Sequence, residues 1–372
     1  MRQLIVRVPR GCGSQVLEFA ETRQAANLAC FTATDRDANL DVVLVGISNA
    51  QVGGLLDDLQ DLPDLHLTLI PTGIITLQPP ASRAAEQAID VAPRSPIEIF
   101  LSGLQSVGSW KGLLGYAAAA GVIVWIGLFT NTIFLLTAAM LIAPFAGPAM
   151  NAALATARGD LHLLGRSLAR YFAALAVSIA VAAGLSFVMD QRVATEQMVS
   201  TSLISSVAVL LPLVAGAAGA FNLCQSDRSS LVSGAATGML VAASLAPPAG
   251  VVGMAAAVGE WDMVRAGGFV LLLQLAGINL AGAVVFRLFG LSPNGVRYAR
   301  GQVWVGVAAW LASLAALAAL LGWQFSDAPN LQRSTQAQRA VATVQDSGLG
   351  KAVSVNARFT RADAPQQNTL LV

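Results

Sequence analysis

Two regimes of hydrophobic and polar patterning divide the chain. Residues 1–100 alternate in short apolar and polar runs, whereas the stretch from about 112 to 323 is nearly bare of charge. In the first regime Leu4-Ile5-Val6-Arg7-Val8 predicts a strand, and Ser14 is placed to cap a helix running to about Gln24. Leu28 to Thr34 and Leu40 to Ile47 predict two strands joined by the polar stretch Asp35-Arg36-Asp37-Ala38-Asn39. Asn49 to Asp61 follows as a second helix, and Leu65-His66-Leu67-Thr68-Leu69 alternates as a last strand. The order βαββαβ over residues 1–80 is that of a ferredoxin-like α+β sandwich.

The second regime predicts membrane helices at Gly112–Phe129, Asn131–Ala157, Tyr171–Met189, Ser202–Phe221, Leu231–Val258, Gly267–Phe289 and Val303–Trp323. A straight span needs about 20 apolar residues; the second and fifth are longer, and both contain prolines. Residues 81–111 form a linker, marked by Pro79 and Pro80 just before it and by Pro93 and Pro96 within it. In Ser95-Pro96-Ile97-Glu98 it carries a capping box with proline at the first helical position. Ile97, Phe100, Leu101, Leu104 and Trp110 recur at helical spacing, which predicts an amphipathic helix at the membrane surface; a surface helix on the soluble domain is the plainer alternative. The expected architecture is a mainly α membrane protein of about seven transmembrane helices (112–323), with a soluble tail at 324–372. That tail shows a helix-like stretch around Arg339 to Val344 and a strand-like Ala352 to Phe359. It ends on Leu370-Leu371-Val372, an apolar end from which the natural chain is expected to continue.

Composition agrees with the pattern. Hydrophobic residues make up 55% and charged residues 12%, with a mean hydropathy of +0.64, where a soluble domain carries about 25% charge. A net charge of +1 gives no reason to expect nucleic acid. Cys12, Cys30 and Cys224 are scattered and read as free thiols. The N-terminal apolar run is too short for a signal peptide, so the first membrane helix is expected to target the chain. With the N-terminus in the cytoplasm, Lys111, Arg158, Arg166, Arg170, Arg228, Arg287, Arg297 and Arg300 fall inside, and only Arg192 and Arg265 fall in short outside loops. The reading is a multi-pass inner-membrane protein with its tail outside.

Two segments resemble each other. Ala139-Met140-Leu141-Ile142-Ala143-Pro144-Phe145-Ala146-Gly147-Pro148 leads to Gly159-Asp160 and Arg166. Gly238-Met239-Leu240-Val241-Ala242 leads through Pro247-Pro248 to Gly259-Glu260 and Arg265. Three spans per copy and a seventh at the end make a 3+3 repeat, and an odd repeat inverts its second copy in the membrane. Convergence of two Ala/Gly-rich helices is the plainer account. Met140 to Pro148, with Gly159-Asp160 and Arg166, resembles the signature of the prokaryotic membrane family called domain of unknown function 389, over about residues 110 to 290. That resemblance implies no activity, site or substrate.

Enzyme chemistry is poorly represented. His66 and His162 lack partners at ligand spacing, and no nucleophile or P-loop motif occurs, so neither an enzyme nor a metal or other cofactor is expected. The Gly11-Cys12-Gly13-Ser14 turn is a weak anion candidate. Transport is better represented. Proline removes a backbone donor and releases a carbonyl that in lipid must face protein or water. Pro144 and Pro148 in one half, and Pro247 and Pro248 in the other, are expected to place two helix breaks face to face near the bilayer centre. Thr137, Asn151 and Ser244 lie near the breaks, and Asn222, Gln274 and Asn279 in or near other spans; each serves equally as an interhelical hydrogen bond. Asp160, Arg166, Glu260 and Arg265 sit at helix ends, as caps or gates. Gly234 and Gly238 form a GxxxG pair suited to tight helix contact within or between subunits. With no charge secure at mid-membrane depth, the expected cargo is an uncharged solute or an ion held by carbonyls and helix ends. The functional expectation is a transporter or channel working as a homo-oligomer, its soluble domain regulating or oligomerising. The alternative is a membrane-anchored sensor or scaffold whose soluble domain binds a ligand or partner.

Overall fold

The computed structural model describes residues 2–35, 39–70, 94–105, 109–202, 210–225, 234–293, 301–327, 358–359 and 370–371. The N-terminal unit is β1 (Arg2–Pro9), α1 (Gly13–Thr22), β2 (Ala26–Thr34), β3 (Asn39–Ile47), α2 (Asn49–Asp58) and β4 (His66–Ile70). Its sheet is antiparallel throughout in the order β2-β3-β1-β4, which keeps the expected βαββαβ arrangement. The period-2 pattern places Leu4, Val6, Val8, Val43, Val45 and Ile47 on one face, buried under Val16 and Ala20 of α1 and Val52, Leu55 and Leu59 beyond it. Arg23 donates two hydrogen bonds to Asp58, at 2.7 and 2.9 Å, tying α1 to α2. The Arg23 hydrogen bond holds the Asp58 carboxyl below its ordinary range. This tie is therefore intact above the usual carboxylate pKa and is lost as pH falls through the lowered value.

Two local expectations are corrected here. Ser14 does not cap α1: the helix begins at Gly13 and its N-cap position is Cys12, which makes no side-chain cap. The amides of Gly11 and Gly13 donate instead to Asp41 Oδ2 on β3, at 2.8 and 3.1 Å. The glycine turn is thus filled by the protein's own carboxylate, which removes it as an anion site.

Helix α3 (Pro96–Gln105) joins the two regions. Its capping box forms in part, the Ser95 amide donating to Glu98 Oε2 at 3.1 Å. Glu98 also makes a buried ion pair with Arg2 of β1. Ile97 packs on the N-terminal core, whereas Ile99 and Phe100 are buried in the helical bundle. Ile97 and Phe100 of the expected apolar face are thus packed on protein, and the helix sits as a wedge between the two regions. The turn before it is anchored as well, since the Arg94 amide donates to the Cys224 carbonyl at 2.8 Å.

The bundle comprises α4 (Trp110–Phe129), α5 (Ile133–Ile142), α6 (Ala146–Arg158), α7 (Leu161–Val188), the short α8 (Glu196–Ser202), α9 (Leu210–Cys224), α10 (Gly234–Val258), α11 (Trp261–Leu288) and α12 (Val303–Asp327). Five of these, α4, α7, α10, α11 and α12, have the length and apolarity of a membrane span. The pair α5 and α6 qualifies together but bends by 54° at Ala143-Pro144, and α9, at 15 residues, is short of a span. Among the described residues, about five candidate spans, or six with the bent pair, thus stand where seven are expected. Large apolar side chains such as Phe134, Phe187, Leu288 and Trp304 face outward, as lipid-facing positions do.

Helices pack through glycines. A Cβ on Gly121 of α4 would meet the Ser178 backbone of α7, and one on Gly216 of α9 would meet the Ile278 backbone of α11. Gly253 of α10 lies against Ile179 and Ala182 of α7, and Gly282 of α11 against Ala153 of α6. The expected tail helix and the arginines at 228, 297 and 300 lie outside the described residues. Of the tail strand, Arg358–Phe359 pairs with Leu370–Leu371.

Candidate functional site

The bend between α5 and α6 has a local cause. A residue before proline is pushed out of the helical region, and Ala143 is extended, at φ −60° and ψ 123°. The chain restarts as α6, in which Pro148 occupies the first turn, where its missing donor costs nothing. Beside the bend lies a cleft of about 410 Å³. Pro144, Gly147, Pro148 and Asn151 form one wall, the first two turns of α4 from Ser109 to Tyr116 another, and Ser167 and Arg170 of α7 the third.

Arg170 is 4% exposed, with its guanidinium 5.0 Å from the centre of the Trp110 ring. Arg158, also buried, lies 3.6 Å over the Phe100 ring of α3. These two cations, expected in the inside loop between the second and third spans, are instead buried in the bundle. Ser167 is 3% exposed, and its hydroxyl has no hydrogen-bond partner among the described residues. Gly103 of α3 packs against Asn151 and Leu154, so the wedge helix abuts the cleft wall.

Of the residues singled out from sequence, the structure brings Pro144, Pro148 and Asn151 together here. The others lie elsewhere. Thr137 is hydrogen-bonded back to the Ile133 carbonyl of its own helix, and Ser244 likewise to Val241 at 2.7 Å. Asn279 accepts from Thr156 and donates to Ser313, joining α11 to α6 and α12. That is the interhelical role, worth about 1 kcal/mol in a bundle. Gln274 is buried in α11 away from the cleft. Pro247 and Pro248 do not break their helix: α10 is continuous through both, and both are buried. The second expected break is therefore absent at Pro247-Pro248, and among the described residues no break faces the one at Pro144. At the helix ends, Gly159 and Gly259 both take positive φ, of 73° and 86°. Asp160 caps α7 by accepting from the Leu163 amide at 3.0 Å, whereas the exposed Glu260 makes no such cap. Arg166 and Arg265 are exposed. Arg170 and Ser167 were not picked out as site residues. Their spacing of three on one helix was the available signal.

The comparisons agree with the family resemblance. Residues 140–280 match the family model described as Domain of unknown function (DUF389). An uncharacterized protein of Methanocaldococcus jannaschii is 26% identical over 167 residues, which cover 45% of this chain and 51% of that protein. The chain thus spans about half the length of this curated relative. No solved structure matches it. The matched stretch contains the α5–α6 bend and the Ser167–Arg170 wall.

Proposed function

We propose that this is a membrane transporter or channel for a small solute or ion, not an enzyme. Its pathway runs between two inverted halves, and its N-terminal domain is a cytoplasmic regulatory or oligomerising module. The observation that carries the reading is the cleft at the broken helix, where an irregular backbone meets polar side chains inside an apolar bundle. Irregular backbone at membrane depth is tolerated where it is buried or lines a cavity.

The two-halves reading has its own support. The ends of α6 and α10, Gly159 and Gly259, Asp160 and Glu260, and all of α7 and α11 correspond one hundred positions apart. Ala153 meets Gly282, and Gly253 meets Ala182: the same pair of positions with the copies exchanged. Likewise Gly121 meets Ser178, and Gly216 meets Ile278, within each copy. Reciprocal exchange of this kind is what a pseudo-two-fold axis produces, and three spans per copy would place that axis in the membrane plane. Seven spans follow if α5 with α6 count as one and α9 as another.

Asn151→Leu is expected to abolish flux in reconstituted vesicles assayed with chloride, phosphate, potassium and glycerol, with assembly retained. Unchanged flux in well-assembled protein rejects the pathway. The sensor or scaffold reading draws on the solid packing around Pro247 and Pro248, and that outcome would favour it.

The proposed orientation, N-terminus inside and tail outside, is tested in a cysteine-free background. An impermeant thiol reagent added to whole cells should label Thr195→Cys and Thr335→Cys but not Gly295→Cys. Labelling of the Gly295 position alone inverts the assignment.

A further inference from the structure

We infer that the cleft beside the α5–α6 bend is a binding site for an oxyanion, either free or as the headgroup of an anionic lipid. The inference deepens the transport reading by naming the cargo or ligand class. It stands on binding alone.

Three features converge on one space. Arg170 supplies a formal positive charge on a planar fork of donors, the geometry that matches carboxylate and phosphate oxygens. The first turn of α6, at Gly147 and Pro148, brings the positive end of a 13-residue helix to the same cleft from another wall. Ser167, 3% exposed, is among the lining residues, and its hydroxyl, buried just beneath the cleft surface, has no partner among the described residues. A buried hydroxyl without a partner carries a desolvation cost, which a ligand oxygen would recover. No acidic residue is among the described lining residues, and about 410 Å³ is ample for a phosphate-sized group.

The second copy serves as an internal control. One hundred positions on from Asn151, Ser167 and Arg170 stand Val251, Gly267 and Val270. Val251 and Val270 are buried, and Gly267 packs on Val252 and the Pro248 carbonyl. The corresponding stretches of α10 and α11 are therefore built with no polar residue at any of the three positions, although α10 lacks the bend. A cation within a membrane bundle is expensive. The first copy bears that expense where the second has apolar residues or glycine, which points to a role for the three beyond holding the helices together.

The test uses purified full-length protein in phosphatidylcholine vesicles, with Trp110 fluorescence reporting on Arg170 and a Trp110→Phe variant as the blank. Inorganic phosphate should give a saturable change at constant ionic strength. Ser167→Ala should weaken it about tenfold, the worth of one hydrogen bond to a charged group. Arg170→Gln should remove it. If phosphatidylglycerol added to the vesicles displaces phosphate, the occupant is a headgroup; if phosphate binds regardless, it is a free oxyanion. Either result supports the site. Responses that do not saturate, or that are the same in wild type, Ser167→Ala and Arg170→Gln, overturn it. Because Ser167→Ala removes a single oxygen, the test survives a failure of Arg170→Gln to fold. Binding without flux would reject transport and leave the site standing, whereas flux without binding would reject the site alone.

Discussion

Replacing Glu98 by alanine is expected to loosen the N-terminal domain from the bundle by about 3–5 kcal/mol. The carboxylate is buried, with 4% of its side chain exposed, and its partner Arg2 has 9%. One oxygen pairs with the Arg2 guanidinium on β1, and the other accepts the Ser95 amide that opens α3. Truncation leaves a buried guanidinium without its counter-charge and a helix start without its cap. The first loss dominates, since a cap alone is worth about 1 kcal/mol. Hydrogen exchange is the suitable measurement, because it reads local opening rather than whole-chain unfolding. Amides of β1 and the first turn of α3 should lose protection together. The double variant Arg2→Met with Glu98→Leu should recover most of it, because a well-packed apolar pair replaces a buried ion pair at little cost. Loss confined to the α3 amides would mean that the ion pair contributes nothing and only the cap matters. The consequence reaches the site: α3 carries Phe100 under Arg158 and Gly103 against Asn151, so a loosened wedge would also relax the cleft wall.

What the sequence disclosed follows from which forces act locally. Alternation at Leu4, Val6 and Val8 predicted a strand with one buried face, and the sheet order followed from βαββαβ. Asp160 after Gly159 predicted a left-handed helix end and a new cap, because both effects operate within one turn. Proline was less informative. Pro144 expels Ala143 from the helix, whereas Pro247 and Pro248 sit in a continuous helix buried on its neighbours. Packing on every side holds α10 together against a local preference, and that packing is not written near the prolines. Burial of charge was illegible for a related reason. Arg158 and Arg170 lie close to span ends in sequence, which placed them in a loop. The rings that cover them, Phe100 and Trp110, come from other helices. The Gly11–Gly13 turn resembled an anion site until Asp41, on another strand, took its amides.

The glycines that end α6 and α10 provide the second large effect, and a comparison that isolates one contact. Gly159 and Gly259 occupy corresponding positions with positive φ, of 73° and 86°. Alanine in that conformation costs about 1 kcal/mol at either position, through contact of Cβ with its own backbone. The surroundings differ. Among the described residues nothing lies within 4 Å of a Cβ on Gly259, whereas one on Gly159 would meet the Gln302 carbonyl at the start of α12. The Gln302 amide meanwhile donates to the Gly159 carbonyl at 2.9 Å, so the two backbones are held together and cannot part freely. Overpacking adds about 1–3 kcal/mol. Gly159→Ala should therefore cost about 2–4 kcal/mol, against about 1 for Gly259→Ala. The thermal midpoint of the detergent-solubilised protein reads the difference. Equal losses in the two variants would mean that α12 yields without cost and is only loosely seated. A larger loss at Gly159 makes α12, which packs on α6 and α11, an integral support of the half that carries the cleft.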